Sequence, residues 1–278
     1  MRGQITIALL EIPIMRINRV KQKLQSGQPS LGTWLTTGHL HIARLLARSG
    51  FDWLTLDMEH APYDWREAAA VVAAIADAGC VPLIRVPDGS HSWIKRALDA
   101  GAFGVVIPMV DTVAQAQQAI AAAKYPPTGN RSTGGGMHNL NFDCSIEEYY
   151  LGANDQTLVI LQTESPQGIA NAPDIYALPG CDAIFIGPND LKFQMRSSDG
   201  SFPSADAFEQ AIAQCLQVGR NTRTPIGMHV FTAEQAQLRL SQGMQFIAVS
   251  SDLGLMADAT QTLTSQLELS TQQDLARY

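Results

Sequence analysis

The chain has 278 residues, 46% of them hydrophobic, with a formal net charge of −7 and a pI near 5.3. That length and apolar content allow one large α/β domain. The acidic balance, without a basic run, excludes a nucleic-acid surface, and no apolar run is long enough to span a membrane. Four widely spaced cysteines (Cys80, Cys144, Cys181, Cys215) form no C-x-x-C pair, which reads as reduced thiols of a cytoplasmic protein and not as a disulfide framework or zinc site.

Residues 1–14 are set aside as an extension with no catalytic role. The stretch from Ile5 to Met15 is mostly apolar, but Glu11 and Pro13 interrupt it and no small-residue cleavage site follows. An amphipathic stretch, Arg16–Leu24, opens the single domain predicted over residues 15–278. Strand-like apolar runs then recur at Leu31–Thr36, Asp52–Asp57, Val81–Val86, Gly104–Met109, Thr157–Thr163, Asp182–Gly187, Pro225–His229 and Phe246–Ser250. Helical patterns lie between them at Trp65–Ala78, Ser92–Ala100, Val113–Lys124, Ala205–Val218 and Ala233–Gln242. Gly50, Gly101, Gly180 and Gly243 stand just before strands, as helix C-terminal caps. Eight alternations predict a closed parallel (β/α)8 barrel. The rival, an open doubly wound sheet, usually carries a Gly-rich phosphate loop after its first strand; here Thr37-Gly38-His39 stands there instead. The longest irregular segment, Pro126 to Asn154, is expected over the barrel mouth, because long loops in compact domains are commonly functional.

The carboxyl ends of the predicted strands carry the chemistry of such barrels. The second strand ends in Asp57-Met58-Glu59-His60, the third in Arg85, the fifth in Gln162-Thr163-Glu164, and the sixth in Gly187-Pro188-Asn189-Asp190. Acids, an imidazole and a guanidinium on four strands of one rim are hard to explain as packing. Glu164 and Asp190 suit a hard divalent cation, Mg2+ or Mn2+, which takes few protein carboxylates and fills its shell with water and substrate oxygens. Arg85 suits an oxyanion or carboxylate, and His60 is the natural general base. The turn at Gly187, Pro188 and Asn189 offers backbone N–H groups for a substrate carboxylate. No lysine lies within a predicted strand, which argues against a Schiff base, and no G-x-S-x-G motif provides a nucleophilic serine.

These residues resemble a known family. Gly32-Thr33-Trp34-Leu35, Asp57-Met58-Glu59-His60-Ala61-Pro62, Arg85, Leu98-Asp99-Ala100-Gly101-Ala102, Tyr125-Pro126-Pro127-Thr128-Gly129-Asn130-Arg131, Gln162-Thr163-Glu164 and Phe185-Ile186-Gly187-Pro188-Asn189-Asp190-Leu191 are similar to motifs of the metal-dependent (class II) pyruvate aldolases of the HpcH/HpaI type, in order along nearly the whole chain. The resemblance implies a (β/α)8 barrel that binds Mg2+, Mn2+ or Co2+ through Glu164 and Asp190. It implies enolate stabilisation by Arg85 and acid/base transfer by His60 supported by Asp57 and Asp99. It further implies pyruvate or hydroxypyruvate and an aldehyde as substrates, and a homo-oligomer, a trimer of dimers with exchanged C-terminal helices. A related enolate-forming enzyme, a CoA-ester lyase or oxaloacetate decarboxylase, is the alternative. The Ser132–Leu140 stretch departs from the family pattern and is expected to shape the aldehyde pocket.

Overall fold

The computed structural model describes residues 15–269; the N-terminal extension lies outside the described residues. Eight strands, β1 (Ser30–Leu35), β2 (Trp53–Asp57), β3 (Val81–Arg85), β4 (Gly104–Ile107), β5 (Leu158–Thr163), β6 (Ala183–Ile186), β7 (Ile226–Val230) and β8 (Phe246–Ser251), close in sequence order into an all-parallel barrel. Each is almost wholly buried, which is why the strands read as continuous apolar runs rather than alternating ones.

The helices are α1 (Arg19–Gln25), α2 (Leu40–Leu46), α3 (Trp65–Asp77), α4 (His91–Asp99), α5 (Val113–Ala123), α6 (Ile146–Gln156), α7 (Pro166–Ala170), α8 (Ala172–Tyr176), α9 (Pro188–Gln194), α10 (Ala205–Thr222), α11 (Ala233–Ser241) and α12 (Asp252–Gln266). Their starts are written in the sequence. Asp64 caps α3 and Glu67 returns the bond, a capping box that Thr112 with Gln115 and Ser145 with Glu148 repeat on α5 and α6. The four cap glycines all take positive φ, between 93° and 97°.

Two apolar layers follow from strand geometry, because alternate side chains face opposite sides of the barrel wall. Leu54, Leu56, Ile84, Val105, Leu161 and Ile184 pack outward beneath the helices. Trp34, Trp53, Leu83, Val106, Ile160, Phe185 and Phe246 belong to the second cluster, which fills the barrel. Trp53 stacks on Phe246 at 4.2 Å and Trp34 on Phe185 at 5.0 Å. Gly32 makes room for this filling, since a Cβ there would overlap the Trp53 ring.

The segment after α5 departs from expectation in form and place. Residues 138–142 form a 3-10 turn and α6 follows, so the stretch is not irregular throughout. It connects a helix to a strand and therefore lies at the amino-terminal end of the barrel, opposite the mouth. Phe142 stacks at 3.9 Å on Phe103, the residue before β4, and Asn141 donates to the Gly101 carbonyl at 3.1 Å. His138 is 1% exposed against Tyr149. Within its own chain the Ser132–Leu140 stretch thus lies at the floor end of the barrel, largely exposed, and does not line the mouth.

Candidate active site

The register of the barrel builds the centre of the site. β2 and β3 pair with Asp57 level with Arg85, so the carboxylate and guanidinium meet across adjacent strands. Arg85 donates from Nε to Asp57 Oδ1 at 2.9 Å and from Nη2 to Oδ2 at 2.5 Å, and its Nη1 lies 3.1 Å from Glu59 Oε2. Asp57 is fully buried and Arg85 5% exposed. A planar guanidinium held by two carboxylates has one orientation. Asp57 Oδ1 also accepts from the backbone N–H groups of Glu59 (3.1 Å) and His60 (3.2 Å), so one carboxylate fixes both the arginine and the loop that carries the histidine.

His60 stands at the edge, with 54% of its side chain exposed and its Nε2 3.8 Å from Glu59 Oε1. The acid beside its ring is Glu59, while Asp57 supports His60 through the backbone. Burial raises the Glu59 carboxyl above its usual range, against the lowering charges of Arg85 and His60. Asp99 does not join the group. It ends α4 at the amino-terminal end of the barrel, where Arg131 Nη2 donates to its Oδ1 at 2.8 Å; it cannot support the His60 of its own chain.

Glu164, just past β5, is 2% exposed. Its Oε2 accepts from the Met109 backbone N–H at 2.9 Å and its Oε1 from Gln162 Nε2 at 2.8 Å. Met109 sits at φ +52°, a strained conformation for a non-glycine residue, which presents this N–H to the carboxylate. Burial, opposed by that bond and aided by the charge of Asp190, pushes the Glu164 carboxyl up to about 7. Asp190 stands in the first turn of α9, behind Gly187. A methyl group at Gly187 would overlap Glu164 Oε1, so Gly187→Ala should displace the carboxylate. We expect kcat/KM to fall on the order of 100-fold, the scale of a 1 Å misplacement, with little change in Tm; wild-type kinetics in that variant would show that the position of Glu164 does not matter.

Gln162, Gly187, Pro188 and Asn189 line one cleft with Arg85, Glu164 and Asp190. Pro188 has no N–H, so this turn offers fewer backbone donors than its length suggests. Three more residues belong to the rim: Glu59, already placed there by the end of the second strand, and, not singled out from the sequence, Trp34 on β1 and His229 on β7. The last two carried a signal, since each stands near the carboxyl end of a strand. Recognising that they face inward requires the register.

The donor set fits a divalent cation. Among the described residues no three His, Cys, Asp or Glu side chains gather as a ready-made metal cage. Two carboxylates, Glu164 and Asp190, are present, and burial, with the charge of Asp190, raises the Glu164 carboxyl above its usual range. Beside them the buried Gln162 Oε1 has no hydrogen-bond partner. An orphaned oxygen next to two neighbouring carboxylates is relieved by a cation that prefers oxygen ligands.

A barrel with acids, an arginine and a histidine at the carboxyl-end rim is the plan of a (β/α)8 enzyme. The HpcH/HpaI aldolase/citrate lyase family model matches residues 30–259, and the chain belongs to that family. It is an aldolase, a carbon–carbon lyase that acts on small molecules. It is 35% identical over 256 residues to a hydroxypyruvate/pyruvate aldolase of Pseudomonas aeruginosa, covering 91% of this chain and 93% of the relative. It is 34% identical over 242 residues to the 2-keto-3-deoxy-L-rhamnonate aldolase of Escherichia coli (strain K12), covering 87% and 90%. The crystal structure of an HpcH/HpaI aldolase/citrate lyase family protein from Burkholderia cenocepacia J2315 superposes with a TM-score of 0.83 at 34% identity, over 90% of this chain and 99% of that one. Among the described residues no helix is long and apolar enough to cross a membrane.

Proposed function

We propose that the enzyme joins the enolate of pyruvate or hydroxypyruvate to an aldehyde, and in reverse cleaves 4-hydroxy-2-oxo acids, with a divalent cation held by Glu164 and Asp190. The observation that supports this most is the juxtaposition of that carboxylate pair and the orphaned Gln162 oxygen with Arg85 in one cleft. When bound, the cation supplies Lewis-acid polarisation of the donor's ketone. Arg85 faces the same oxygen and stabilises the negative charge that develops when His60, directly or through a water, takes a C3 proton from the donor. Its two carboxylate partners set its direction in advance, so little reorganisation is needed at the moment of reaction. The enolate carbon then attacks the aldehyde carbon, and the aldehyde oxygen takes up a proton. His60, exposed at the rim on a loop tied to Asp57, is placed to exchange that proton with solvent. Gln162, Pro188 and Asn189 bound the donor, with Gly187 leaving room for Glu164. We also propose that the chain works as a homo-oligomer; support comes from α12, whose Leu255, Met256 and Leu263 are exposed, as is the residue that caps it, Leu267.

The test is pyruvate release from a panel of 4-hydroxy-2-oxo acids, with Mg2+ or Mn2+ and with excess EDTA. Release that requires the cation is expected. Full turnover in EDTA would refute the metal-dependent reading, and no release from any member of the panel would refute the substrate class.

A further inference from the structure

A carbon–carbon bond needs a second substrate beside the donor, and the Ser132–Leu140 stretch lies at the opposite end of its own barrel. A crevice of about 400 Å³ opens next to the donor cleft, with Pro188 and Asn189 common to both. It is lined further by Lys192, by Phe208 near the start of α10 and by Phe231 just after β7. That volume is ordinary for a small-molecule site. An aldehyde seated there reaches the donor without crossing the barrel.

Two cations gather beside this crevice. Lys192 on α9, the helix whose first turn holds Asp190, and Arg196 just past its end are both exposed. Lys192 Nζ lies 5.8 Å from the centroid of the Phe202 ring. The Arg196 guanidinium lies 5.7 Å from the same ring and 4.8 Å from that of Phe193. The two rings meet edge to face at 5.1 Å, and both are about half exposed. Arg196 Nε donates to the Phe193 carbonyl at 3.2 Å, which anchors the guanidinium over them. Arg16, Arg85, Arg131 and Arg239 are each matched by an acid, whereas neither Lys192 nor Arg196 has an ion pair among the described residues. The chain carries 26 acids against 19 lysines and arginines, so these two are not unpaired for want of acids.

Like charges that share one ring repel each other, and an oxyanion between them removes the repulsion. A guanidinium fork suits a carboxylate or a phosphate. Arg196 stands six residues beyond Asp190, roughly 9 Å at the helical rise of about 1.5 Å per residue. A short aldehyde charged at its far end spans such a distance. We propose that Lys192 and Arg196 are specificity-determining residues that select acceptor aldehydes ending in a compact oxyanion, a carboxylate or a phosphate. The assignment rests on the aldolase reading above.

The test uses the full-length enzyme with Mg2+ and pyruvate, and reads the ratio of kcat/KM for an anionic aldehyde to that for a neutral one. The pairs are 4-oxobutanoate against butanal, and glyceraldehyde 3-phosphate against glyceraldehyde. The wild type should favour the anionic member of at least one pair about tenfold, the lower end of what a charged cleft adds to association, and that pair identifies the oxyanion. Lys192→Gln combined with Arg196→Gln should bring the ratio close to one, chiefly through KM of the anionic member. Should the double variant fold poorly, each single variant should still lose part of the ratio. Raising NaCl from about 20 mM to about 500 mM should compress the wild-type ratio, because exposed charges are screened. A wild-type ratio near one in both pairs overturns the assignment, and so does a preference that survives in the variants. A wild type that condenses none of the four aldehydes brings down the parent reading and this one with it; a wild type that condenses them with a ratio indifferent to residues 192 and 196 brings down this one alone.

Discussion

Arg85→Lys should lower kcat/KM for retro-aldol cleavage about 10²- to 10³-fold, some 2.7–4 kcal/mol, the range seen when one preorganised oxyanion donor is removed. Charge is retained, so the loss must come from geometry. Arg85 uses Nε and Nη2 on Asp57 and Nη1 toward Glu59. A lysine ammonium is one point on a flexible stem and cannot face both acids and the substrate at once. It would also replace the two-pronged guanidinium partner of the fully buried Asp57 by a single ammonium, and breaking a buried pair costs about 3–5 kcal/mol when the partner is lost outright. Kinetics should therefore be measured well below the variant's Tm, with the melt recorded alongside. The decisive reading is exchange of the pyruvate C3 proton with solvent, which needs no aldehyde. An unchanged exchange rate in the folded variant would remove Arg85 from the enolate step.

The barrel was legible because all eight strands are buried on both faces and read as uninterrupted apolar runs, with observed ends within two residues of the expected ones. The rim residues were legible because charge at the end of such a run is costly and needs a reason. Partnerships were not. That Asp57 holds Arg85 depends on the register between β2 and β3, which neither strand contains by itself. The floor segment was misplaced for a reason present in the chain. It follows a helix, and in an alternating barrel a helix returns the chain to the amino-terminal end, so residues 126–145 could not overhang their own mouth. The same rule removes Asp99, the last residue of α4, from its own rim. His138 sits on the floor with neither ring nitrogen hydrogen-bonded; we have no physical account of it.

Glu164→Gln should separate what the carboxylate does for the metal from what it does to the fold. Glutamine has nearly the same shape and keeps an oxygen that can accept from Met109 or Gln162. The wild-type carboxyl is pushed up to about 7 from an ordinary 4.5, first by burial and also by Asp190. A carboxyl with a raised pKa in the fold binds more protons folded than unfolded between those values, so the metal-free wild type loses stability as pH rises from 4.5 to 7. The full effect is on the order of 3 kcal/mol above pH 7. The metal-free glutamine variant escapes it and should melt higher than wild type at pH 8, with the gap closing toward pH 4.5. Saturating Mn2+ should reverse the order, since the ion stabilises only the protein that binds it. It should raise the Tm of the wild type and leave the variant where it was. Asp190→Asn should likewise lose the Mn2+ response. Because Asp190 is one of the charges that raises Glu164, it should also melt higher than wild type when metal-free. An equal Mn2+ shift in wild type and both variants would show that the ion does not sit between these carboxylates, whatever the activity assays report.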